Sequence, residues 1–279
     1  MSVDIKLNLI KPSKDLRLAC KAYCNIDKVY TFANKNQLKE MVDLIFLINK
    51  DYSIISTNRL NYKNLIDNIV NKKKLSNIEK KHLIVLKKLF PIVINKKSED
   101  FLNTFITNFK EKELKIIKPY LDVIYNSTKV SSTFFVANNT RPGFGGSATN
   151  LSFHISIGDD VDYRKFTKNR IYILLIHELI HVINSNNEIY NRIEKYILDK
   201  YGGIKKQSFS ETFTSTIENI LAYKLGYNKE KYARYRYNDK EDIILEDKIR
   251  KVYNSWEKLK GKNKDKFIVY LEKNIKKVI

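Results

Sequence analysis

A chain of 279 residues that is 43% apolar can bury one large core or two modest ones; 30% charged residues with 8 Gly and 4 Pro exclude a disordered chain or long flexible linkers. The formal net charge of +21 comes mostly from Lys, scattered along the chain, and reads as lysine covering solvated helix faces. A nucleic-acid surface would favour Arg, whose planar fork matches phosphates and base edges, so that partner class is disfavoured by the composition.

In chain order, Val3, Ile5, Leu7 and Leu9 alternate with polar residues and predict a short strand closed before Pro12. Ser13 is placed to cap a helix carrying Leu16, Leu18, Ala19 and Tyr23. Cys20 and Cys24, four apart on that helix, suit neither a disulfide nor, without a further Cys or His nearby, a zinc site. Further helices are marked by Met41, Leu44, Ile45 and Leu47, then by Leu60, Leu65, Ile66 and Ile69. The capping box Ser76-Asn77-Ile78-Glu79 opens another, ended by Pro91, and places His82 among lysines on a surface helix. Phe101, Phe105 and Phe109 recur at helical spacing as core residues.

The texture changes near Ser127. Ser132 to Ala137 is a β-branched and aromatic run, and Gly143, Gly145 and Gly146 gather in one loop-like segment. Leu151 to Ile157 alternates with Leu151, Phe153, Ile155 and Ile157 on one face, which puts His154 on the other as an exposed residue. A helix from about Asp162 to Asn184 is apolar almost all round, the mark of a buried helix. Helices over Glu188 to Tyr201 and about Phe209 to Leu225 follow, with a chain reversal at Gly202-Gly203, and one or two amphipathic helices close the chain. No segment reads as a signal peptide or reaches the roughly 18 apolar residues of a membrane span. The expected compartment is therefore cytoplasmic, with leaderless export as the alternative.

The buried helix carries His177-Glu178-Leu179-Ile180-His181. Two His four apart lie one above the other on a helix face, the geometry that sets two nitrogens about 2.0–2.1 Å from one Zn²⁺. Glu178 lies about 100° round, within reach of a water on that metal. An unpaired polar group in such apolar flanks costs on the order of 1–3 kcal/mol, so three of them need a common purpose. A third ligand is still required. The metzincin pattern needs Gly at position 184 and His at 187, and both are Asn. Among the downstream carboxylates, Glu188 and Glu194 suit an exposed helix face, which leaves Glu211 or Glu218, two turns apart on one face together with Thr214 and Ser215. Ser208-Phe209-Ser210-Glu211 also has the form of a capping box, a structural use for Glu211.

The order of a strand, the His-Glu-x-x-His helix and a helix bearing Ser210-Glu211-Thr212-Phe213-Thr214 resembles the gluzincin group of zinc metallopeptidases, over about a third of the chain. The resemblance implies Zn²⁺ held by His177, His181 and Glu211, with Glu178 as general base, and Glu218 or Ser215 as alternative ligand or support for an imidazole. It also implies that the strand with Phe153, His154 and Ile155 pairs with an extended peptide substrate, with the glycine segment beside the cleft. Tyr223, Tyr227, Tyr232 and Tyr235 are all available to steady an oxyanion. Endopeptidase and aminopeptidase are not distinguished.

The expected fold is α+β and predominantly helical, with a zincin-like core and a small sheet. The expected layout is an N-terminal helical region over residues 1–126, a catalytic core over 127–228 and basic helices over 229–279 that pack on it. Two other readings stay open: an inactive or structural metal-binding homologue, and a basic nucleic-acid-binding protein.

Overall fold

The computed structural model describes residues 2–36, 54–92, 94–229, 240–259 and 265–279. The expected helix at Met41 to Leu47, and Tyr232 and Tyr235, lie outside the described residues. The fold is α+β and mostly helical, with one small mixed sheet. In chain order the elements are β1 (Val3–Leu9), α1 (Lys14–Cys24), α2 (Ile26–Lys35), α3 (Ile54–Val70), α4 (Asn77–Leu89), α5 (Lys96–Asn108) and α6 (Leu114–Ile124). Then come β2 (Thr128–Val136), β3 (Phe144–Ala148), β4 (Ser152–Ile157), α7 (Lys168–Ser185), α8 (Glu188–Lys224), α9 (Lys240–Glu257) and α10 (Phe267–Val278). Among the described residues no helix is long and apolar enough to cross a membrane.

Two compact units are interleaved along the chain rather than consecutive. One comprises Met1–Lys6, Asn108–Ser131 and Lys168–Ile279; the other comprises Leu7–Thr107 and Ser132–Thr167. The strand order is β1-β2-β4-β3, with β4 parallel to β2 and antiparallel to β3.

In the second unit, α1 begins at Ser13, whose hydroxyl accepts the Leu16 amide. At α4 both bonds of the Ser76–Glu79 capping box form. Leu16, Ala19, Tyr62, Leu65, Leu83, Leu86 and Phe135 are core residues of this unit. The buried Arg17 and Glu99 pair across it, so neither charge is left uncompensated. His82 is not a surface residue: it is 2% exposed and bonded to the Tyr62 hydroxyl. It shares the inner stripe of α4 with Leu83 and Leu86, while Lys80, Lys81, Lys87 and Lys88 face outward. Helical phase, not the lysine-rich composition, sets its burial.

The substrate-strand expectation is also corrected. β4 is an interior strand, paired on both sides and buried over its whole length, so its backbone has no edge to offer a peptide. His154 is 2% exposed and stacks on Phe135 with ring centroids 5.5 Å apart, and Phe153 stacks on Phe134. The glycine segment is the outer strand β3 rather than a loop. Alternation predicted one buried face, but β4 is covered on both, as interior strands are.

In the first unit, α7 is buried on nearly every side, from Ile171 to Asn184. The chain folds back within α8. Gly202 has φ 82° and ψ 174°, a backbone conformation open essentially to glycine. Tyr190 and Phe213 come to 5.1 Å between ring centroids, and Lys206 pairs with Glu194 at 3.0 Å. On one straight helix, rising about 1.5 Å per residue, that aromatic pair would lie roughly 35 Å apart. α9 and α10 cover the second half of α8, where Phe213 stacks on Phe267 and Phe267 meets Tyr253 and Trp256.

Candidate metal centre

The second half of α8 runs antiparallel to α7: Thr214 lies opposite His181 and Asn184, and Glu218 lies opposite His177. This pairing lays a polar ridge of α8 along the histidine face of α7, inside the unit's apolar core. Asn187, where a metzincin would carry its third His, caps α8 instead. Its Oδ1 accepts the Tyr190 amide at 2.9 Å, and its Nδ2 donates to Asn126 and Thr128.

His177 and His181 project side by side, with their Nε2 atoms 3.1 Å apart. Glu211 Oε2 lies 3.4 Å from His181 Nε2 and 3.8 Å from His177 Nε2. Two donors on a tetrahedral zinc, each about 2.0–2.1 Å from it, lie about 3.3–3.4 Å apart. The three edges bracket that value. Among the described residues, His177, His181 and Glu211 form the group of His, Cys, Asp or Glu side chains close enough to share one cation.

Glu218 takes a different place. Its Oε2 accepts a hydrogen bond from His177 Nδ1 at 2.6 Å, on the far side of the ring from Nε2. A carboxylate there fixes the ring and makes Nε2 a better donor to a metal. Ser215, the other expected support, is buried but bonds neither imidazole; Thr214 Oγ1 lies 3.4 Å from His181 Nδ1 instead. The capping use of Glu211 falls away, because the helix already runs through Ser208, whose hydroxyl bonds Asp242. Glu188 is exposed at the start of α8 and Glu194 is paired with Lys206.

Electrostatics favour a cation at the centre. Burial opposes charge on His177, but the nearby Glu211 carboxylate, the hydrogen bond His177 donates to Glu218 and the charges of Glu218 and Glu178 outweigh it, and its pKa rises to about 10. Crowding around the Glu211 carboxylate opposes its charge although half of the side chain stays open to solvent, and the neighbouring His181 and His177 more than offset it, so its carboxyl is held well below the usual range. Glu178 is 4% exposed on the same helix as the two histidines, whereas Glu211 leaves 52% of its side chain open to solvent. The donor set fits a divalent ion such as zinc, with the open side at Glu211.

The expected tyrosines do not all converge here. Tyr227 donates its hydroxyl to Glu113, which Lys168 approaches to 3.1 Å, and Tyr223 is exposed on the surface. Asn184 and Tyr125 are not part of the expected site, and Thr214 enters it only as a residue on the face of Glu211 and Glu218; Asn184 stands three residues after His181 and Thr214 three after Glu211, each on its ligand's helix face. No family model, no curated protein and no solved structure matches the chain.

Proposed function

We propose that this protein is a zinc-dependent peptidase with a zincin-like core, cleaving a peptide bond in a protein or peptide. The observation that supports it best is the set of three donor atoms, His177 Nε2, His181 Nε2 and Glu211 Oε2, at tetrahedral edge lengths beside the buried Glu178. Held by His177, His181 and Glu211, a zinc ion would supply a readily deprotonated water near neutral pH and polarise a carbonyl oxygen.

Glu178 accepts the proton that the attacking water gives up and passes it to the departing amine. Glu218 holds the His177 ring so that Nε2 keeps its lone pair for the metal. The apolar flanks of α7 keep bulk water from the back of the site and strengthen the field that Glu178 feels. A structural zinc site is closed by four protein ligands; three donors with Glu211 half open suit catalysis better.

The test uses the zinc-loaded full chain and a proteome-derived peptide library, read by mass spectrometry for new termini. Glu178→Gln should keep about one zinc per chain and lose hydrolysis by roughly 10²–10⁴-fold. Equal cleavage by parent and variant would overturn the role given to Glu178. A zinc-loaded parent that cleaves nothing in the library would count against the peptidase.

A further inference from the structure

The His177 imidazole is backed by a carboxylate, but among the described residues His181 has none behind it. Its Nδ1 lies 3.4 Å from Thr214 Oγ1. That oxygen also accepts Asn184 Nδ2–H at 3.1 Å, and Asn184 Oδ1 accepts the Tyr125 hydroxyl at 2.7 Å. Thr214 and Tyr125 are fully buried and Asn184 is 2% exposed. Resting on the reading of His181 as a metal ligand, we propose that Thr214, Asn184 and Tyr125 form a relay that positions the His181 ring for zinc.

The chemistry follows from counting donors and acceptors. A neutral imidazole that ligates through Nε2 carries its proton on Nδ1, so it needs an acceptor there. A threonine hydroxyl has two lone pairs; Asn184 takes one and leaves the other for His181 Nδ1–H. The Tyr125 hydroxyl sets the Asn184 amide with its oxygen towards Tyr125 and its NH₂ towards Thr214. Thr214 is β-branched and on a helix, so its side chain has few rotamers to lose.

Three polar side chains buried in an apolar core have little structural advantage over three apolar ones of similar size, unless the chain they form ends somewhere useful. This one ends on a proposed ligand. Thr216, fully buried on the same helix, shows the ordinary alternative: its hydroxyl bonds back to the Thr212 carbonyl at 2.7 Å.

The experiment measures zinc affinity by chelator competition, and the visible spectrum of the cobalt(II)-loaded protein, for the parent, four single variants and the double variant of Thr214→Val with Tyr125→Phe. Thr214→Val keeps the shape and removes the acceptor; it should weaken zinc binding by about 10–100-fold and alter the cobalt bands. Thr214→Ser keeps the hydroxyl and should bind zinc as tightly as the parent. Thr216→Val, an equally buried change, should leave affinity and spectrum as they are. Tyr125→Phe should weaken binding about threefold and add nothing further on top of Thr214→Val, since it acts through that hydroxyl. Parental zinc affinity in Thr214→Val, or an equal loss in Thr216→Val, overturns the relay. If Thr214→Val does not fold, Tyr125→Phe decides alone, and unchanged affinity there overturns the relay. A parent that binds no zinc defeats the metal reading itself, which sets that failure apart from failure of the relay.

Discussion

His177 presents its two ring nitrogens to two carboxylates, with Nε2 towards Glu211 and Nδ1 towards Glu218. Spacing alone left these two glutamates as rivals, because two turns of helix bring them to one face; only the packing of α8 against α7 assigns each to a nitrogen. Elsewhere a histidine carries a different consequence. Burial, with the Arg141 charge adding to it, lowers the His154 pKa to about 3, and its Nε2 has no hydrogen-bond partner among the described residues; burial lowers His82 to about 4. Both rings are neutral when folded and protonate more readily when unfolded. Their contribution to stability is thus complete above about pH 6.5 and is lost as pH falls towards the folded values. For His154 the loss approaches the order of 3–5 kcal/mol at the acid end. His154→Phe, which keeps the stack on Phe135, should move the acid unfolding midpoint followed by circular dichroism to lower pH. An unchanged midpoint would show that His154 is not the acid-labile group.

At the scale of elements, the reversal within α8 brings Glu211 back to the histidines. A Cβ at residue 202 would meet nothing within 4 Å among the described residues, so the cost of Gly202→Ala lies in the backbone. That change should destabilise the protein by about 1–3 kcal/mol in denaturant unfolding, and a neutral result would mean that the turn relaxes into another conformation. Much of this architecture was legible in the sequence. The unbroken apolar flanks of His177 to His181 announced a buried helix, Gly202-Gly203 a reversal, and Ser13 and Ser76 two helix starts. What stayed hidden depends on neighbours distant in sequence. Nothing local to Ser152–Ile157 says that strands cover both its edges, and the lysines around His82 masked the phase of its helix. Asn184 and Thr214 look like ordinary polar residues until the helices carrying them are paired.

Across the whole molecule, the proposed ligands, the base, the Glu218 support and the Thr214 relay all fall within one compact unit. That unit gathers chain segments at 1–6, 108–131 and 168–279, so its extent could not be drawn from a consecutive stretch of sequence. Tyr125 shows why this matters: it lies far upstream of the His-Glu-x-x-His motif and reaches the site through Asn184. On the proposed reading, His177, His181 and Glu211 hold one zinc while Glu218 stands behind His177. Zinc content and affinity of Glu211→Ala and Glu218→Ala beside the parent test it most directly. The parent should carry about one zinc per chain, Glu211→Ala should come through purification largely metal-free, and Glu218→Ala should still bind zinc, about 10–100-fold more weakly. Full zinc in Glu211→Ala together with a metal-free Glu218→Ala would contradict the account.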